Sequence, residues 1–378
     1  MITAATIMNR ILVLLCALML GDSNLFAEDH PTLAVGAAAP DFKLPAVDGK
    51  NYSLKDFEKS PILVVVFTCN HCPTAQAYEE RLKKIAEDYG KRGVSLVAIN
   101  PNDPNSVRLN ELGYTDLSDS FDEMKLRAGD KHYNFPYLYD GDTEEVSKKY
   151  GPAATPHAFV FDKERKLRYV GRIDDSERPE YVKKRELRDA LDAMLAGREI
   201  EVKQTKAFGC STKWAGKQES VKEYMQQLST EPVSVELVDA EGLKALRKND
   251  SDKIRLVNFW ATWCGPCLGE FPELIEINRM YRHRNFELVT VAANFPDEKQ
   301  QVLEILQKEQ ASTKNLLFGS TDKYQMTEAF DQEWNAALPY TILIGSKGEI
   351  LYQKKGGPFN PLELKKAIVK ALTEDRFK

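Results

Sequence analysis

Twice along the chain a strand-like apolar run ends at two cysteines three positions apart and gives way to a helical pattern. The first copy reads "PILVVVFTCNHCPTAQAYEERL" and the second "KIRLVNFWATWCGPCLGEFPEL". A continuous β-branched run bounded in this way reads as a buried strand, and the apolar spacing after it (Ala77, Leu82, Ile85 and Ala86 in the first copy) as a helix. Each copy goes on in the same order. The first continues with the strand "GVSLVAINPND", the segment "FPYLYD", the loop "GPAATPHAFVFD", the strand "KLRYVGRI" and a closing helix from about Pro179 to Ala196. The second has a helix from Gly265 to Tyr281, then "NFELVTVAANFPD", a helix near Glu298 to Gln310, "AALPYTILIGSKGEILYQKKG" and a closing helix from Pro361 to Leu372. Alternating strand and helix predicts an α/β fold with a central sheet covered on both faces. The hairpin patterns "VFDKERKLRYV" and "LIGSKGEILYQ" make each sheet mixed.

The repeat divides the chain. The first domain is expected over 28–215, with a turn at Asp48-Gly49 between short strand-like segments ahead of the repeat. A polar, helical linker is expected over 216–231 and the second domain over 232–378. Residues 1–27 differ from all of this: Arg10, the apolar run Ile11 to Leu20, then the small residue Ala27 before an acidic start. That is the outline of a secretory signal peptide, with an apolar run shorter than the roughly 18 residues of a spanning helix. Cleavage near Ala27 and an exported, periplasmic or extracytoplasmic location follow; an uncleaved segment is the alternative and the only membrane contact expected. Cys16, preceded by Leu14 and Leu15 where a lipoprotein signal wants small residues, reads as apolar filler. With 52 basic against 57 acidic residues and no basic block, no nucleic-acid partner is expected.

Five cysteines remain: Cys69, Cys72, Cys210, Cys264 and Cys267. A disulfide scaffold would be far denser in cysteine, so two close pairs imply chemistry. Cys264 is expected at a helix N-terminus with Pro266 in the first turn, where a missing N–H costs nothing. Free amides and the helix dipole there favour a thiolate, which can attack a disulfide. Cys267, one turn on, is placed to resolve the mixed disulfide, and Trp263 to shield the pair. Structural zinc needs about four ligands, and the pairs fall in separate domains of a chain with 5 His. Covalent haem needs His directly after the second Cys, where Pro73 and Leu268 stand. No metal and no organic cofactor is expected.

At these residues "FWATWCGPC" resembles the thioredoxin superfamily, and "LVNFWATWCGPCLGEFPEL" is similar to its extracytoplasmic TlpA/ResA-like branch, over about Pro232 to Lys378. The resemblance implies a thioredoxin-like fold, a cis Pro339 that faces the cysteines and offers substrate a backbone edge, and proton handling by Glu270, set in the helix's first turn. Asn258 stands where plain thioredoxins keep a buried Asp. The first copy, from "PDFKLPAVDGKNYSLKDF" through "TCNHCPT" to "TKAFGCSTKW", resembles the peroxiredoxin-like AhpC/TSA division, particularly members carrying a CxxC, over about Pro40 to Trp214. Pro156 matches the cis-proline loop.

Both domains are therefore expected to be thioredoxin-like and to carry out thiol–disulfide exchange, with Cys69 and Cys72 in the parts of Cys264 and Cys267. Cys210 is either an inert thiol or a resolving or relay cysteine. Ordinary peroxiredoxins place Thr three residues before the reactive Cys; here Thr68 is adjacent to Cys69 and four before Cys72, so peroxidase activity stays open. His71 takes the dipeptide position where the oxidant DsbA has His, and Gly265-Pro266 is the dipeptide of thioredoxin. This makes the first centre the more oxidising, provided His71 is not simply exposed and uncoupled. His157 reads equally as a loop residue or a substrate contact, and Arg172 as a solvated strand end. Expected partners are clients with thiols or disulfides and an upstream membrane or periplasmic dithiol donor. A thiol peroxidase with a built-in reductant and a soft-metal chaperone or docking module are the alternatives.

Overall fold

The computed structural model describes residues 30–376; the signal-peptide reading of residues 1–27 lies outside them. Among the described residues no helix is long and apolar enough to cross a membrane.

A small antiparallel hairpin comes first, β1 (Lys43–Pro45) and β2 (Asn51–Ser53), turning at Gly49 with φ 82°. The first lobe then runs β3 (Ile62–Phe67), α1 (Pro73–Gly90), β4 (Val94–Asn100), α2 (Phe121–Asp130), β5 (Tyr137–Tyr139), α3 (Glu145–Tyr150), β6 (His157–Phe161), β7 (Leu167–Gly171) and α4 (Glu186–Leu195). Its sheet has the order β5-β4-β3-β6-β7, parallel from β3 through β5 and antiparallel across β6 and β7. Every residue of β3 is buried, as its unbroken apolar run requires of a strand covered on both faces.

After α5 (Gln218–Ser229), the second lobe runs β8 (Glu236–Val238), α6 (Ala240–Lys248), β9 (Ile254–Trp260), α7 (Gly265–Tyr281), β10 (Phe286–Ala292), α8 (Lys299–Lys308), β11 (Lys314–Phe318), α9 (Tyr324–Phe330), β12 (Tyr340–Ile344), β13 (Ile350–Lys355) and α10 (Pro361–Arg376). Its sheet order is β13-β12-β9-β10-β11-β8. The order β7-β6-β3-β4-β5 of the first lobe is therefore repeated as β13-β12-β9-β10-β11, and β9 again pairs parallel with β10 and antiparallel with β12. Both lobes are α/β units of one topology.

The helix expected from Pro179 starts only at Glu186; Pro179–Tyr181 is a single 3-10 turn. The amides of Lys183 and Lys184 donate to the Asp175 carboxylate at 2.9 and 3.1 Å instead of to a preceding helical turn. The stretch between β4 and α2 reaches across to the second lobe. Val107 and Leu112 are buried in the same apolar cluster as Leu274, Ile277 and Met280 of α7, and the Tyr281 hydroxyl donates to the Thr115 carbonyl at 2.7 Å. A Cβ on Gly113 would lie 3.0 Å from the Met280 carbonyl, tighter than an ordinary contact, so glycine suits this close approach.

Candidate redox centres

In the second lobe Cys264 is the N-cap of α7, with Pro266 in the first turn, and its Sγ accepts the Cys267 N–H at 3.3 Å. The two cysteines form a disulfide. Cys267 is fully enclosed, Cys264 is 6% exposed, and the neighbouring Trp263 is 69% exposed. Trp263 therefore offers an apolar face to solvent beside the reactive sulfur rather than a cover over the pair. Leu338-Pro339 is cis.

Glu270 departs from the sequence reading. Because α7 starts at Gly265, Glu270 lies in the second turn, not the first, and faces inward. Its Oε1 accepts from Asn258 Nδ2 at 2.8 Å and its Oε2 from the Phe359 N–H at 3.2 Å. Burial pushes its pKa up to about 7 against these two hydrogen bonds. Asn258, which also donates to Thr341 Oγ1 at 2.9 Å, links the middle strand to this carboxyl.

The first centre is built differently. Cys72, not Cys69, is the N-cap of α1. The register of the two sheets makes this position equivalent to that of Cys264. Phe67 pairs across to His157 and Phe259 to Tyr340, each the first residue of the strand after the cis proline, and each cysteine follows its Phe by five residues (72 − 67 and 264 − 259). Thr155-Pro156 is cis. Cys72 Sγ accepts amide N–H groups from Ala75 at 3.5 Å and Cys210 at 3.3 Å, and its thiol is 3.2 Å from the Thr155 carbonyl. Burial opposes a Cys72 thiolate, but the Cys210 and Cys69 thiols and these two amides outweigh it and hold Cys72 well below the ordinary thiol range. Cys69 sits three residues earlier, 3.1 Å from Thr155 Oγ1, and burial raises its thiol well above that range. Cys210 completes an apolar cluster with Cys69, Cys72 and Ala75.

The exposed, uncoupled alternative for His71 is overturned: the side chain is 1% exposed and its Nδ1 is 2.5 Å from Asp119 Oδ2. Asp119 is enclosed too, and accepts from the Asn70 and His71 amides at 2.8 and 3.1 Å and from Asn102 Nδ2 at 2.7 Å. Burial disfavours charge on His71, but the Asp119 carboxylate outweighs it and raises the imidazole pKa; Asp119 in turn is held below its ordinary value. A buried histidine–carboxylate pair thus stands beside the dithiol, each partner favouring the charged form of the other. Donor atoms of Cys69, His71 and Asp119 lie within 4.8 Å of one another, the one such cluster among the described residues. Three donors, two of them already bonded to each other, fall short of the four of a structural zinc site.

His157 is buried on β6, where its Nδ1 accepts the Ala153 N–H at 3.2 Å and burial lowers its pKa to about 4, leaving it neutral. Arg172 pairs with Glu186. Sequence reasoning missed Asp119 and Asn102, neither of which carries a local motif, and gave Thr155 no role beyond preceding the cis-proline.

The two lobes are also recognised separately. The AhpC/TSA family matches residues 35–170, and the Redoxin family matches residues 230–368. The chain belongs to the thioredoxin superfamily, as two tandem domains. Among members of that superfamily it is 27% identical over 169 residues to the thiol-disulfide oxidoreductase ResA of Geobacillus thermodenitrificans, covering 43% of this chain and 85% of that protein. It is 31% identical over 127 residues to the thiol:disulfide interchange protein CycY of Rhizobium leguminosarum bv. viciae, covering 32% of this chain and 59% of that one. Among solved structures, an uncharacterized conserved protein from Geobacillus kaustophilus is 42% identical over 48% of this chain and 92% of its own, with a TM-score of 0.43.

Proposed function

We propose that this chain is an exported thiol–disulfide oxidoreductase with two dithiol centres of unequal potential, in domains over 28–215 and 232–378 joined by 216–231. The observation that carries the reading is the equivalent seat of Cys72 and Cys264, each capping the helix that follows the middle strand of its sheet. Clients enter at the second centre, beside exposed Trp263 and the Leu338-Pro339 edge. Cys264 attacks a client disulfide sulfur, one client cysteine leaves as a thiolate, and Cys267 then attacks Cys264 and frees the other. Glu270 lies one turn from Cys267 on the same helix, the spacing at which side chains are neighbours, and takes the Cys267 proton. A pKa of about 7 suits that task near neutral pH. An upstream dithiol donor returns the pair to its reduced form.

In the first domain the roles are the reverse of those read from the order of the pair: Cys72 is the thiolate and Cys69 its resolving partner. The Cys210 and Cys69 thiols and the Ala75 and Cys210 amides stabilise the Cys72 thiolate, with the nearby His71 adding to them, hence the reduced form, so this centre is the more oxidising and electrons pass to it from the second. The transfer is not a direct contact in the arrangement described. Cys264 caps one end of α7 while the first lobe clamps the other at Tyr281, and a 17-residue helix spans about 25 Å at 1.5 Å per residue. The lobes must part, or a second copy must supply the partner centre.

The test is reduction of a protein disulfide by dithiothreitol in the presence of the full mature chain. Cys264→Ser should bring the rate to background and Cys72→Ser should leave it within about twofold; the opposite ranking rejects the assignment of the client-facing centre. A second reading, a thiol peroxidase, is favoured by the match of residues 35–170 to the AhpC/TSA family together with the stabilised thiolate of Cys72. Hydroperoxide consumption abolished by Cys72→Ser would establish it.

A further inference from the structure

The backbone edge beside the first dithiol is already taken. The segment after α4 pairs with the outer strand, where the Val170 N–H donates to the Lys203 carbonyl at 3.1 Å and the Thr205 N–H to the Val170 carbonyl at 3.0 Å. It then crosses the cis-proline loop. There the Thr155 N–H donates to the Cys210 carbonyl at 2.9 Å in an antiparallel bridge, and the Cys210 N–H donates to Cys72 Sγ at 3.3 Å. Beyond the bridge the segment is tied down again, through Thr212 Oγ1 to the Pro152 carbonyl at 2.7 Å and the Lys213 N–H to Asn102 Oδ1 at 2.9 Å. Gly209 makes the approach possible: it has φ +139°, and a Cβ there would lie 2.0 Å from the Thr155 carbonyl oxygen. In the second lobe no backbone hydrogen bond to Leu338, the counterpart of Thr155, is seen among the described residues.

Paired with Thr155, whose carbonyl is 3.2 Å from the Cys72 sulfur, the segment packs Cys210 against Cys72. The chain therefore seats its own cysteine where the cysteine of an incoming strand would go. Cys69 and Cys72 are 4% and 0% exposed, whereas Cys210 is half-buried. Of the three thiols of this lobe Cys210 is the most open to solvent, so an incoming thiol meets it first.

We infer that the 203–213 segment is a built-in substrate strand that closes the first centre to protein strands, and that Cys210 is the thiol through which that centre exchanges with the outside. This rests on the two-centre reading above. With Cys69–Cys72 oxidised, Cys210 gives up its proton and its thiolate attacks Cys72 Sγ. The Cys72–Cys210 bond forms, the Cys69–Cys72 bond breaks, and Cys69 leaves as a thiolate and is reprotonated. No electrons are gained or lost; the disulfide has moved outward. An incoming thiolate then attacks Cys210 Sγ and Cys72 leaves, held as a thiolate by the Ala75 and Cys210 amides. Cys72 is the better leaving group because its pKa is depressed while that of Cys210 is raised, first by its contact with Cys72 and then by burial.

The test uses the full mature chain with Cys264→Ser and Cys267→Ser, so that the three thiols of the first lobe remain. With Cys69→Ser added, equilibration in a mixture of reduced and oxidised glutathione and peptide mapping should recover Cys72–Cys210 as the main disulfide. Recovery of Cys72 as a glutathione adduct with Cys210 free overturns the inference. In the oxidised three-thiol chain, Cys210→Ser should slow reduction by a second full chain carrying only a reduced Cys264-Cys267 pair by at least tenfold. An unchanged rate overturns the exit role of Cys210 and leaves transfer between the two centres standing. Absence of transfer even with Cys210 present rejects that transfer, and the disulfide map then decides the inference alone.

Discussion

Replacing Glu270 by Gln should flatten the dependence of stability on pH, and the size of the effect follows from the surroundings of the carboxyl. Its pKa is raised from 4.5 in the free side chain to about 7, chiefly by burial. The folded state thus keeps a proton that the unfolded state gives up above pH 4.5, and the unfolded state is favoured as pH rises. The contribution of Glu270 is complete below pH 4.5 and is lost as pH rises through about 7. A shift of roughly 2.5 units at 1.36 kcal/mol each sets a ceiling of about 3.4 kcal/mol. Relaxation and partial solvent access around the carboxyl reduce the expected loss to about 2 kcal/mol between pH 5 and pH 8.5. Three of the 4 tryptophans, Trp260, Trp263 and Trp334, lie in the second lobe, so fluorescence-detected urea unfolding of the oxidised chain reports this transition. The wild type should lose about 2 kcal/mol more than Glu270→Gln over that interval. Parallel pH profiles for the two proteins would refute the reasoning.

Other expectations follow from the first lobe and the junction. His71→Ala removes the buried cation beside Cys72 and should make the first pair more reducing by about 30 mV, a tenfold change in exchange equilibrium, in a glutathione titration. Asp119→Ala removes the carboxylate that holds the His71 proton and leaves the buried Asn70 and His71 amides and Asn102 Nδ2 without their acceptor, and should cost about 1–3 kcal/mol in urea unfolding. Gly209→Val places a branched side chain against the Thr155 carbonyl; peptide mapping should show the Cys72–Cys210 link lost and the Cys69–Cys72 link retained. Tyr281→Phe removes the hydroxyl that bonds the buried Thr115 carbonyl and should cost about 1–3 kcal/mol in the same unfolding assay.

What the sequence showed was mostly local. The bounds Gly265–Tyr281 of α7 follow from the Cys264 cap, Pro266 and the apolar spacing, and Leu338-Pro339 and Thr155-Pro156 stood out as prolines entering an apolar strand. The doubled β–α–β order was legible because each middle strand is a continuous apolar run. Small or polar elements such as α6, α9 and β8 were not, since they add little apolar periodicity. The His71–Asp119 pair was invisible because its partners are 48 residues apart and Asp119 follows an irregular stretch whose course is set by packing on α7. Cys210 could be singled out, but its contact with Cys72 depends on a return across the cis-proline loop 138 residues later, which no local pattern specifies. The order Cys69 then Cys72 suggested that the first cysteine takes the attacking part, as Cys264 does in the second pair. Pro73, directly after Cys72, is the signal that moves the cap, because proline is suited to the first helical position.

The most direct test is the reduction potential of each pair in the full mature chain, measured against glutathione and dithiothreitol with the other centre changed to serine. The Cys69-Cys72 centre should lie at least about 30 mV above the Cys264-Cys267 centre, enough to drive transfer roughly tenfold in its favour. Equal potentials, or a second pair more oxidising than the first, would contradict it.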